Sequence, residues 1–233
     1  MTVTRIVTGV LLRLPLGLIL LFMTAALLRA GFLLPLEFHR DSAAFPFLIG
    51  LAGGLVIFAL LGKFRLVYVF GHELTHWLVA KLFRRRTGRF RVGREGGSVE
   101  IENPNLWITL SPYFIPLYTL IWSGLFFLLR QLQPTLIQEY AHYGIGIMGG
   151  AYAYHLWMTA FALTREQNDL RAYGWFFSLS LILCANLFLL FLGGLAVTGE
   201  WQFGFASLWR ILQEQAVWLW AWTTRTIHQI YMI

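Results

Sequence analysis

Residues 69–79 read VFGHELTHWLV, placing His72, Glu73 and His76 in the middle of an otherwise apolar run. What such a run means depends on the chain around it. The 233 residues are 58% hydrophobic and only 12% charged, with a mean hydropathy of +0.65. A soluble domain carries about 25% charged residues, so a soluble globular enzyme is excluded. Several apolar runs reach the roughly 20 residues that a helix needs to cross a bilayer. The expected fold class is an all-α polytopic membrane protein.

Six spans are expected, near residues 9–34, 45–62, 65–83, 106–130, 141–163 and 173–198. Only GKFR separates the second from the third, which makes them a tight helical hairpin. The run from Leu14 to Leu28 has an alternative reading as a secretory signal with LRA as its cleavage site. Its length, Arg13 and Pro15 favour a span. No repeat, low-complexity tract or linker is visible, so one membrane domain is expected over residues 1–233. Cys184 is the single cysteine, which excludes an internal disulfide.

Charge orients the chain. Of the 18 Lys and Arg, seven fall in KLFRRRTGRFRVGR, from Lys81 to Arg94. The positive-inside tendency puts that loop in the cytoplasm, where it suits anionic lipid headgroups rather than nucleic acid. If all six spans cross, Arg40, Arg165 and Arg171 fall on the same side, while the N-terminus and the tail after residue 198 face outward. Arg5 and Arg13 pull mildly the other way.

Of the 11 acidic residues, only Glu73 falls well inside an expected span. An ionisable group at membrane depth is costly and usually marks function. His72 and His76 are four apart, so on a helix they share a face one turn apart. That spacing lets two imidazoles hold one zinc ion, with Glu73 beside them to act on an attacking water. The plainer alternative is a polar cluster that joins helices by hydrogen bonds. His76 precedes the first arginine of the basic loop by eight residues, about 12 Å at 1.5 Å per residue. The site would then lie in the cytoplasmic half of the bilayer, and water must reach it through a polar cavity.

A membrane helix carrying HELTH, followed by a short Gly-rich segment and then Pro-broken apolar spans, resembles the M50 group of intramembrane metalloproteases, the site-2 protease relatives. The resemblance covers roughly residues 65–198. It implies a β-hairpin after the HExxH helix and an aspartate from a later segment as third metal ligand. Neither an L-D-G nor an N-P-D-G motif is present. Two candidates remain. Asp169, in TREQNDLRAYG, occupies the order that the resemblance implies, which makes it the favoured ligand with His155 as the alternative. It would need residues 164–171 to fold back into the bundle. His155, in AYAYHLWMT, lies nine residues before Thr164, about 13–14 Å from that helix end, and matches the two histidines better in depth. Otherwise Asp169 caps a helix and His155 makes an interhelical hydrogen bond.

Downstream, FRVGREGGSVEIEN (90–103) carries Val92, Val99 and Ile101 at a loose period of two around glycines, a hairpin signal. Its edge, at Gly96, Gly97, Ser98 and Val99, is a candidate to bind an unwound substrate segment by strand addition. In NPNLWITLSPYFIP, Pro112 and Pro116 each free a backbone carbonyl. Asn103, Asn105 and Ser111 are polar groups there that more often cap a helix than take part in chemistry. The glycines of GIGIMGG (144–150) suggest close helix packing. The tail, with tryptophans at 201, 209, 218, 220 and 222 among Arg210, Gln213, Glu214 and Arg225, suggests an amphipathic interfacial helix.

Taken with the resemblance, these residues imply a zinc-dependent intramembrane endopeptidase with Glu73 as general base. The expected partners are a membrane-protein substrate and the lipid bilayer, and the expected location is a bacterial inner membrane with the site toward the cytoplasm. Two other classes compete. One is an inactive relative that binds transmembrane segments, for which Glu73 has no use. The other is a His/Glu ion relay, which would normally employ further intramembrane acids.

Overall fold

The computed structural model describes residues 3–34, 42–61, 64–93, 96–164 and 168–231. Its helices are α1 (Val3–Leu33), α2 (Ala44–Leu61), α3 (Arg65–Leu82), α4 (Leu106–Leu110), α5 (Leu117–Leu132), α6 (Pro134–Glu139), α7 (Ala141–Leu163), α8 (Asn168–Tyr173), α9 (Trp175–Thr198) and α10 (Trp201–Tyr231). A hairpin of β1 (Thr87–Val92) and β2 (Gly97–Ile101) follows α3.

Among the described residues, Leu11–Leu33, Ala44–Leu61 and Trp175–Thr198 are long and apolar enough to cross a bilayer. A fourth crossing exists if Leu106–Tyr113 and Leu117–Leu132, bent by 78° at the break between them, form one span. This is a multi-pass membrane protein. The other two stretches expected to span, α3 and α7, are helical but less apolar. α3 carries the His–Glu–His set between Arg65 and Lys81, and α7 mixes glycine, tyrosine and histidine among its apolar residues.

The described residues divide into two compact units. Residues 1–36 and 179–233 form one, with α1, most of α9, and α10. Its core joins Ala26, Leu27, Ala30 and Leu34 to Phe191 and Leu195 and to Leu208 and Ile211. Gly204 lets α10 start close against α9, because a Cβ there would lie 2.1 Å from Leu195 Cδ2. The Arg29–Glu214 pair, 3.2 Å apart, is half exposed and adds little.

Residues 37–178 form the other unit. Within it α2 and α7 meet backbone to backbone. A Cβ on Gly50 would stand 1.9 Å from the Gly146 carbonyl oxygen, and one on Gly149 would stand 2.0 Å from that of Phe47. Small residues at such a seam let two helices pack without a hydrophobic drive between them.

Helix α3 ends where Arg84 adopts a left-handed conformation (φ +55°) and Arg85 N–H bonds back to the Ala80 carbonyl at 2.8 Å. The chain then enters the hairpin. β1 and β2 pair antiparallel, Phe90 opposite Val99 and Val92 opposite Gly97, and Gly93 N–H closes the turn onto Gly96 O at 2.9 Å. Strand β2 lies flush on α3. A Cβ on Gly97 would meet Val69 Cγ1 at 2.6 Å and Glu73 Cγ at 2.7 Å. Helix α5 closes on α3 at Gly71, where a Cβ would meet the Tyr118 ring at 2.8 Å.

Candidate metal centre

On α3, His72 and His76 face the same way, with ring centroids 4.9 Å apart. Each has its Nδ1 engaged. His76 Nδ1 is 2.7 Å from the Ile108 carbonyl oxygen. A carbonyl only accepts, so Nδ1 carries a proton, and in the neutral ring the lone pair is on Nε2. The fold supplies that carbonyl through Pro112. In a continuous helix the Ile108 oxygen would accept from the N–H of residue 112, and proline has none. The freed oxygen takes His76 Nδ1–H and also the Ser111 hydroxyl, at 3.0 Å. Nδ1 of His72 is 3.2 Å from the Tyr68 hydroxyl, one turn earlier on the same helix.

Both Nε2 atoms face Asp169. Its Oδ2 is 3.7 Å from His72 Nε2 and 3.5 Å from His76 Nε2, and it accepts a hydrogen bond from the Tyr113 hydroxyl at 3.1 Å. Asp169 stands in the first turn of α8, a six-residue helix held by fully buried Leu170 and by the Ser178 hydroxyl, which donates to the Leu170 carbonyl at 3.1 Å. Gly174, at φ +88°, then turns the chain into α9. Burial alone would raise the Asp169 carboxyl. Protonated at Nε2, the imidazoles of His72 and His76 outweigh that and hold it well below the usual carboxylate range.

The cluster is a buried His/His/Asp set able to chelate a metal, its three ligand atoms all within 4.8 Å of one another. The donor set and spacing suit zinc. Ligands at about 2.0–2.1 Å around a tetrahedral ion stand about 3.3 Å from each other, and the two nitrogen–oxygen separations, 3.5 and 3.7 Å, exceed that by only a few tenths. With a metal bound, two neutral imidazoles and one carboxylate would offer it a single negative charge.

The three residues and Glu73 line one cavity of about 420 Å³, which Gly97, Ser98 and Val99 of β2 also line. Glu73 is only 9% exposed, and its side chain packs against β2, where a Cβ on Gly97 would meet Glu73 Cγ at 2.7 Å. Gly96 closes the hairpin turn and does not line this cavity. Among the described residues His155 does not join the converging group. It borders a separate, smaller cavity of about 30 Å³ with Tyr68, His72, Tyr118 and Tyr154, its ring 5.9 Å from that of Tyr152.

Asn105 caps α4, its side-chain oxygen accepting from Ile108 N–H at 3.0 Å, and Asn103 takes a left-handed turn at φ +49°. Sequence reasoning passed over Tyr68 and Tyr113. The i, i+4 spacing of Tyr68 and His72 was a usable signal for the first. Nothing local marks Tyr113, which meets Asp169 across 56 residues of chain.

Compared with models of protein families, with curated proteins and with solved structures, the chain matches none.

Proposed function

We propose that this protein is a zinc-dependent intramembrane endopeptidase of the site-2 (M50) type, cleaving transmembrane or membrane-proximal peptide segments. The observation that carries the reading is the meeting, in one cavity, of a His/His/Asp cluster, a buried glutamate and a strand edge. An ion relay has no use for the strand.

His72, His76 and Asp169 would hold the metal, leaving room for one further ligand. A bound zinc ion supplies Lewis acidity, lowering the pKa of water and favouring negative charge on a peptide oxygen. Glu73, on the same wall, accepts the proton of the attacking water at its carboxylate and returns it to the departing amine. Its close approach to Gly97 keeps that side chain beside β2. A helical substrate hides its own carbonyls, so it must unwind before attack. Gly97, Ser98 and Val99, with Gly96 at the turn, would hold the unwound segment as an added strand. The basic loop after α3 supports a cytoplasmic placement of the site.

The test is Glu73→Gln, assayed on transmembrane peptides in detergent micelles with zinc content measured in parallel. The expected result is full zinc occupancy with no cleavage, because only the base is removed. Undiminished cleavage by that variant ends the assignment.

A further inference from the structure

We propose that the Ser111–Tyr113 turn is the positioning element of the metal centre, holding His76 through the Ile108 carbonyl and Asp169 through the Tyr113 hydroxyl. This rests on the metal reading above and goes past it to residues outside the HELTH helix and outside the ligand set.

Each residue of the turn acts on a ligand's neighbour or on a ligand. Pro112 withholds the N–H that would otherwise occupy the Ile108 carbonyl, and Ser111 donates to that same oxygen at 3.0 Å, fixing its direction. His76 then finds an acceptor in place at 2.7 Å, which sets its tautomer. Tyr113 is fully buried, lies edge-to-face on His72 with centroids 5.2 Å apart, and gives its hydroxyl to Asp169 Oδ2 at 3.1 Å. Helix α8 has only six residues, too short to hold its own shape. Leu170 and Ser178 anchor its backbone, but the direction of the Asp169 carboxylate toward the two imidazoles comes from Tyr113. The 3₁₀ turn at the break between α4 and α5 is what lets one short segment reach both ligands. Tyr113 touches no reacting atom in this scheme and is a positioning residue.

The experiment uses the full chain in detergent. Zinc is titrated against a competing chelator, cobalt(II) serves as a spectroscopic probe, and amide exchange is followed across residues 168–173 without metal. Tyr113→Phe is expected to weaken zinc binding about 10- to 100-fold, to shift the cobalt absorption, and to speed exchange in that segment until metal restores protection. Pro112→Ala, which returns a competing N–H, is also expected to weaken binding; should it fail to fold, Tyr113→Phe decides alone. Tyr118→Phe is the control, since its hydroxyl bonds the Val67 carbonyl and no ligand. It should keep wild-type affinity and spectrum. A Tyr113→Phe protein within about twofold of wild type in affinity, or equal losses in both phenylalanine variants, overturns the proposal. If the unsubstituted protein and His72→Ala take up the same zinc, the metal reading itself fails and this role falls with it.

Discussion

Asp169→Ala set against His155→Ala separates the two candidate third ligands. Asp169 Oδ2 lies 3.5 and 3.7 Å from the two imidazole nitrogens. Its removal deletes the one anionic donor and leaves two nitrogens from a single helix. It also deletes the oxygen to which Tyr113 donates. Loss of an outer partner alone costs about 10- to 100-fold in metal affinity, so loss of a ligand should exceed about 100-fold, or about 2.8 kcal/mol at 1.4 kcal/mol per decade. His155 borders the smaller cavity beside His72 and acts on the centre only through such neighbours. His155→Ala should therefore cost less than about tenfold, below about 1.4 kcal/mol. Both proteins would be dialysed against chelator-buffered zinc and their metal content measured, with circular dichroism to establish equal folding. The reverse ranking would refute the reasoning. His155 would then be the ligand, and Asp169 a first-turn acid favourable to the α8 dipole.

Two further outcomes follow from the hairpin. Gly97→Ala should keep zinc but lower cleavage, because the new methyl meets Glu73 Cγ at 2.7 Å and strand and base must part. A displacement of about 1 Å at a reacting group costs on the order of 100-fold, so wild-type turnover in this variant would show that β2 does not position Glu73. For topology, a cysteine at Gly96, where a Cβ meets nothing within 4 Å, should resist an impermeant thiol reagent applied to intact cells. Native Cys184 is buried and leaves little background. Ready labelling from outside would invert the orientation assigned to the basic loop.

The sequence by itself determined the class of molecule and half of the candidate metal centre. Low charge and long apolar runs dictate helices in a membrane, because every backbone polar group there must be satisfied within its own segment. The i, i+4 spacing of His72 and His76 puts two imidazoles on one face by local geometry alone, and the glycines after Val92 predict the hairpin. Local pattern does not report which distant groups come together. Asp169 and His155 were both consistent with the chain order, and the distance from one segment to another is set by tertiary packing. Only the fold showed that α8 turns Asp169 toward the histidines while His155 borders the other cavity. The same holds for Pro112. The sequence shows that a proline frees a carbonyl, but which donor takes it is decided by the element packed alongside. Here that element is α3, and the donor is His76.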